Sequence, residues 1–357
     1  MRILFVTEDL ANGGSERVIS VLANGFATEH ESAVAAIRWD KVTYRLDEKV
    51  KYYSFKDKEK GKIKRTIGRF SFLMRVIKEY KPDVVVAFDV IPIVYSSICC
   101  RIRKQKLVVS ERADPKRHLG KGIISDLYFY AFKNSDGAVF QTEDAKRFYN
   151  TDVQGKSAII PNPINEEFAI PRYEGERNKE IVTACRLTTQ KNIKLFIDIV
   201  TEIIEEYPEF SGIVYGDGPE MEKLKNYTEG KNTDGKIIFA GKVKDLRERI
   251  YKSQIYLCTS DYEGISNSML EAMSLGLTVI STDCPVGGAK MAITSGVDGI
   301  LFPVGDKEAG TIAIKHLLEN PQLMETMGKN ATQIRERWSK KLIISKWDEY
   351  LRTLLER

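Results

Sequence analysis

Short, unbroken apolar runs recur along this chain at 3–6, 33–37, 84–88, 107–109 and 138–140. Segments with amphipathic-helix spacing lie between them at 15–28, 63–80 and 124–132. A strand that is apolar on both faces needs helices over both faces, which is the arrangement of a parallel sheet. The prolines of PNPI (161–164) stop the pattern. It then restarts, with strands expected at 181–185, 213–215, 237–240, 255–258, 278–281 and 300–302. The helices of this second half are expected at 192–207, 245–251, 267–275, 308–319, 321–337 and 339–355, and Pro219 of GDGPE suits the first position of a further one. At 357 residues the chain is long for one core and natural for two. The pattern therefore predicts an α/β protein of two doubly wound units, 1–165 and 166–338, with a final helix in 339–357. Such sheets bind ligands outside the carboxyl ends of their strands.

Charge separates the two halves. Residues 1–165 carry 29 Lys/Arg against 20 Asp/Glu, while the rest is net acidic, although the whole chain is +5. A basic first half implies an anionic partner there, and nucleic acid, phospholipid and a diphosphate-linked substrate all satisfy that charge. The five cysteines are odd in number, form no CxxC and sit largely in apolar runs, so they are read as reduced thiols of a cytosolic protein. The three histidines have no metal-ligand spacing, and no Asp-x-Asp pair occurs. No run approaches the roughly 18 apolar residues of a spanning helix.

The segment SDYEGISNSMLEAMSLGLTVIST (260–282) carries the most chemistry. A helix starting near Ser266 would hold Glu271 and leave Glu263 in the loop before it. Amides around Asn267, Ser268 and Met269 would then be available to a phosphate, and a carboxylate suits a vicinal diol. Spacing alone equally allows a capped helix with Glu271 facing solvent. Neither NGGSER nor GDGPEM completes G-x-G-x-x-G, which argues against a dehydrogenase.

GGSERV (13–18), PNPI, CRLTTQKN (185–192), YGDGPE (215–220), FAGKV (239–243), the Glu-to-Glu segment and GVDGILFPVGD (296–306) follow one another along the chain. In this order they resemble the retaining glycosyltransferases of family four. The resemblance implies a GT-B fold, two Rossmann-like domains facing a cleft, with the last helix packing back on the first domain. It implies that Arg186 and Lys191 bind a nucleotide diphosphate, Glu271 the ribose and Glu263 the transferred sugar, with Gly14, Gly216 and Val243 lining the donor. Two fixed cations can neutralise a leaving diphosphate without a metal, so no cofactor is expected beyond a UDP-sugar substrate. Surface ion pairs are the plainer role for Arg186 and Lys191. VVSERADP (108–115) lacks a histidine common in relatives and is similar to a bacterial subgroup acting on undecaprenyl-diphosphate-linked oligosaccharides, often with N-acetylhexosamines. There Glu111 and Arg112 would hold sugar or acceptor phosphate, with Arg112 counted among the catalytic residues alongside Arg186, Lys191 and Glu263, while Asp114 and Pro115 equally suit a plain turn.

Segment 51–81 holds 11 Lys/Arg and three acids, with Ile63, Ile67, Phe70, Met74 and Ile77 at helical spacing. Lys62, Lys64, Arg65 and Arg69 lie largely off that stripe. A helix on anionic membrane fits this pattern, and so does an ordinary helix with a solvated basic face. The reading is a cytoplasmic enzyme, peripheral on the inner membrane face, acting on a lipid-linked or growing glycan acceptor. A UDP-sugar epimerase of the same fold is the alternative enzyme. A nucleic-acid-binding protein is a weaker one, since few aromatics are placed to stack on bases.

Overall fold

The computed structural model describes residues 1–11, 13–38, 42–56, 61–118, 122–231 and 233–357. Asp57 and Glu59 of the basic segment, and the side chain of His118, lie outside what is described. The chain divides into two compact units, Met1–Pro163 with Lys340–Arg357, and Ile164–Ser339.

In unit 1 the order is β1 (Arg2–Thr7), α1 (Gly14–Phe26), β2 (Glu31–Ala36), β3 (Lys51–Ser54), α2 (Lys62–Tyr80), β4 (Val84–Phe88), α3 (Val90–Arg103), β5 (Lys106–Ser110), α4 (Pro115–His118), α5 (Ile123–Asn134), β6 (Gly137–Phe140), α6 (Glu143–Arg147), α7 (Thr151–Gly155) and β7 (Ser157–Ile159). The seven strands pair in parallel in the order β3-β2-β1-β4-β5-β6-β7. Every side chain of β4 is buried, as a covered central strand requires. Strands β3 and β7 and helix α3 are additions to the sequence reading. The edge strands are only half buried and lack the apolar run that marks a central one. Helix α3 opens with the near-continuous apolar VIPIV, which hides helical period, and Pro92 is tolerated in its first turn.

Unit 2 contains β8 (Asn178–Ala184), α8 (Ile193–Glu206), β9 (Ser211–Tyr215), α9 (Met221–Glu229), β10 (Ile237–Gly241), α10 (Leu246–Ile250), β11 (Ser253–Cys258), α11 (Asn267–Ser274), β12 (Thr278–Thr282), α12 (Gly288–Ala292), β13 (Ile300–Phe302), α13 (Lys307–Glu319), α14 (Pro321–Ala331) and α15 (Ile334–Arg337). Its parallel sheet runs β10-β9-β8-β11-β12-β13. The core gathers under α8, whose Phe196, Ile199, Val200 and Ile203 are fully buried. The helix expected at 321–337 is two, because the backbone ladder tightens to i−3 bonds from Thr332 to Lys329 and from Gln333 to Asn330. Pro219 does not begin α9. The Glu220 amide bonds Leu187 O at 3.2 Å, and the helix starts at Met221, two residues later.

The last helix, α16 (Lys340–Leu355), belongs to unit 1. Its Trp347 is fully buried and stacks on Phe88 with centroids 5.9 Å apart. Tyr350 OH donates to the carbonyls of Ala138 (3.2 Å) and Lys156 (2.7 Å). Gly137 makes room for that hydroxyl, since a Cβ there would lie 2.3 Å from it. Asp348 bonds His30, the residue before β2, at 2.7 Å. We predict that Trp347→Ala costs unit 1 about 3–5 kcal/mol, the range for emptying a buried tryptophan site. Denaturant unfolding should show the loss, and an unchanged midpoint would contradict it.

Candidate functional site

In unit 2 the carboxyl ends of β8, β9 and β10 are pinned side by side. Cys185 N bonds Tyr215 O, Leu187 N bonds Asp217 O, and Gly216 N bonds Gly241 O, all at 2.8–3.0 Å. Gly216 sits at φ +128°, and a Cβ on it would fall 1.8 Å from Cys185 O. Only glycine allows this approach. Arg186 stands on the resulting ledge, exposed, and its side chain makes no hydrogen bond or ion pair among the described residues. The ion-pair alternative for Arg186 therefore fails. Val243 follows Gly241 and is half buried, at the edge of the same ledge.

A second set of bonds ties the segment after β8 to the loop after β11. Asn192, at φ +44°, caps α8 and donates to Asp261 at 2.8 Å. Gln190 donates to Tyr262 O at 2.7 Å, and Thr259 Oγ1 to Lys191 O at 3.1 Å. These bonds aim Lys191 at Glu263, and the two form an ion pair with both side chains largely buried. Burial works against the Lys191 ammonium, but the Glu263 carboxylate outweighs it and holds the lysine above its ordinary range. Glu263 also accepts from Ser260 at 2.9 Å, and its backbone amide bonds Pro285 O.

Ser266 caps α11, its Oγ accepting from Met269 N at 3.4 Å. That bond uses the Met269 amide, so the expectation of an available amide at Met269 is corrected. Asn267 and Ser268 head the helix, half buried. Ser268 Oγ donates to Ala184 O at 2.6 Å and accepts from Tyr256 at 2.8 Å, which fixes the helix start to the end of β8. Glu271 is 5% exposed, so the solvent-face alternative is excluded. Its burial follows from α11 packing along β12, with Met269, Leu270, Ala272 and Met273 buried around it.

In unit 1 the carboxyl edge holds a different cluster. Glu111 is buried and saturated. Its Oε1 accepts from the amides of Arg112 and Ala113, both at 2.9 Å, and its Oε2 from Tyr128 and from Tyr149 at 3.2 Å. This turns the expected acceptor contact into a structural post that shapes the turn, and Asp114 does likewise by accepting from Lys116 N. Arg112 is held over Phe88 (4.7 Å) and Trp347 (5.7 Å) and donates Nη1 to Asn162 at 3.1 Å. Its buried Nε and Nη2 have no hydrogen-bond partner among the described residues. Burial lowers its basicity to about 9, against the pull of Asp89 and Glu111.

Gly14 opens α1 and is exposed, with Gly13 as the cap. Ser15 does not cap the helix. It lies in the first turn and donates to Asp89 at 2.8 Å. Glu16, not singled out from the sequence, folds its carboxylate into the space a Cβ on Gly13 would occupy. Its buried Oε2 has no hydrogen-bond partner among the described residues. Burial first, then Asp89, raises its pKa to about 7. The signal for it was its place two residues after the paired glycines. Trp347 carried no signal, since it is 235 residues from Arg112 along the chain. Lys62 and Lys64 are exposed and Arg65 and Arg69 half buried on α2, whose apolar stripe divides. Ile77 is in the core with Phe72, Leu73 and Val76, whereas Ile63 and Ile67 face outward.

Residues 12–168 match the family model "Glycosyltransferase Family 4" and residues 178–320 match "Glycosyl transferases group 1", one model on each half of the chain. The chain belongs to the family 4 glycosyltransferases. It is 26% identical to an uncharacterized glycosyltransferase of Methanocaldococcus jannaschii over 67% of this chain, and the match spans 66% of that protein. It is 25% identical, over 95% of this chain and 98% of the relative, to a Campylobacter jejuni N-acetyl-D-galactosaminyltransferase named for a GalNAc-containing undecaprenol-PP-linked substrate. Among solved structures, Anabaena HepE in complex with UDP and glucose superposes with a TM-score of 0.85 at 17% identity, covering 98% of this chain and 99% of that one. The fold is thus the GT-B class, two doubly wound units in tandem.

Glu16 yields a pH prediction for this transferase. A carboxyl whose folded pKa is raised binds its proton more tightly than the unfolded chain does. Its contribution to stability is full below the unfolded value near 4.5 and is lost as pH rises through about 7. Glu16→Gln, which mimics the neutral form, should therefore raise Tm relative to wild type at pH 8 and leave it nearly unchanged at pH 5. A difference that does not grow with pH would refute the assignment.

Proposed function

We propose that this enzyme moves an N-acetylhexosamine from a UDP-sugar to a lipid-linked or growing glycan acceptor in bacterial surface polysaccharide synthesis. It does so with retention of configuration, without a metal, at the inner face of the membrane. The observation that carries the reading is Arg186, exposed and without a partner among the described residues, on the same strand-end ledge as the largely buried Lys191–Glu263 pair. Two cations suit a diphosphate leaving group: Lys191 is held in place and kept charged by Glu263, and Arg186 stands exposed beside it. Glu271, beside the ledge, takes the ribose, and Asn267 and Ser268 face the phosphates. UDP in HepE and the lipid-linked substrate named for the Campylobacter relative support the donor and acceptor classes.

In the proposed step the bond from the anomeric carbon to the diphosphate oxygen breaks, and a bond from the acceptor hydroxyl oxygen forms on the same face. The hydroxyl proton passes to the departing diphosphate. No side-chain nucleophile is required, and Arg186 and Lys191 stabilise the charge that develops on the leaving group.

A panel of nucleotide sugars tests the donor. A UDP-sugar at about 100 times its Kd should stabilise the protein by about 2.7 kcal/mol. Arg186→Ala should keep the ligand-free Tm, because Arg186 is exposed and unpaired, and lose most of the UDP-induced shift. Glu271→Ala and Lys191→Ala should each lose most turnover. Wild-type rates in either would remove them from the site. EDTA should leave the rate unchanged, and loss of activity restored by a divalent ion would overturn the metal-independent step. Interconversion of UDP-GlcNAc without acceptor would mark an epimerase instead.

A further inference from the structure

Helices α2, α3 and α5 lead in turn into β4, β5 and β6, and α3 packs between the other two. Right-handed crossovers place all three on one face of the sheet. Each runs against the strands, so the first turns of α2 and α5 both lie at the carboxyl edge of the sheet, about 20 Å apart at ordinary helix spacing. Both turns present large apolar side chains to solvent. Ile63 and Ile67 on α2 are 77% and 62% exposed, and Ile123 and Ile124 on α5 are 74% and 44% exposed. The packing of the unit does not require them, since α2 is anchored by Phe72, Leu73, Val76, Ile77 and Tyr80, and α5 by Tyr128, Ala131 and Phe132. Lys62 and Lys64 flank the α2 pair, and the first turn of that helix has no acid.

We propose that the first turns of α2 and α5 together form a docking surface for an anionic lipid bilayer. The four isoleucines enter the headgroup boundary and Lys62 and Lys64 meet lipid phosphates. The inference rests on the reading that the acceptor is lipid-linked, and it adds α5 as a second point of attachment. Two separated apolar points remove a tilt of unit 1 on the bilayer that a single helix end leaves free. Lys62 and Lys64 make the α2 turn suited to an anionic surface, while the α5 turn, which carries Asp126, attaches through its isoleucines alone.

The test is sedimentation with vesicles of phosphatidylglycerol and phosphatidylcholine, compared with phosphatidylcholine alone. Wild type should pellet with the anionic vesicles, less so in high salt. Ile63→Gln/Ile67→Gln and Ile123→Gln/Ile124→Gln should each reduce partitioning by about tenfold. Both variants replace exposed side chains, and each should keep the wild-type Tm and UDP-induced shift. Wild-type pelleting by the α5 variant overturns the two-point surface, as does failure of wild type to bind anionic vesicles. So does a wild-type dimer in size-exclusion chromatography that the isoleucine variants dissociate. Vesicle binding by a protein whose Tm no nucleotide sugar raises would sink the transferase donor reading and leave the surface intact.

Discussion

The ion pair between Lys191 and Glu263 is the constraint around which unit 2 organises its site. A largely buried ammonium is tolerable only beside an anion, and a largely buried carboxylate only beside a cation. The pairing fixes the distance between the segment after β8 and the loop after β11, and the bonds of Gln190, Asn192 and Thr259 hold both backbones to it. The neighbouring glycine loop is drawn onto the same edge by the amides of Leu187 and Glu220. Arg186 is left as the cation not spent on structure. Lys191 is charge-compensated by Glu263, whereas Arg186 has no ion-pair partner among the described residues.

Unit 1 solves a different problem. Its edge holds a half-buried arginine with two buried nitrogens and a half-buried glutamate with one buried oxygen that find no hydrogen-bond partner among the described residues, both near Asp89. Unpaired buried polar atoms are costly and uncommon in native interiors. Here they stand where strand ends of a parallel sheet receive ligands. The support for Arg112 comes from the far end of the chain, because Trp347 of α16 supplies one of the two aromatic rings beneath it.

Much of this architecture was legible beforehand for simple reasons. Central strands such as β4 are apolar throughout, and helices such as α8 bury a wide stripe, so their periods are strong. Edge strands β3 and β7 and the apolar start of α3 were not, since half-burial and continuous hydrophobicity erase the alternation that marks an element. The motif residues Arg186, Lys191, Glu263 and Glu271 were named from the order of the sequence pieces. The bonds that position them, Gln190 to Tyr262, Asn192 to Asp261 and Thr259 to Lys191, were not, because a hydrogen bond between loops has no fixed spacing along the chain.

The sequence by itself determined the class of the protein: two parallel-sheet units, the order of the family motifs, and the residues that those motifs carry. Only the tertiary structure decided what each residue is free to do. Glu111 sits next to Arg112 in the chain, yet four hydrogen bonds consume its carboxylate while two nitrogens of Arg112 stay unpartnered. Lys191 and Arg186 are five residues apart and of the same sign, yet one is neutralised and the other is not. Residue type sets the charge, but availability depends on neighbours brought from distant positions, and burial decides how strongly those neighbours act.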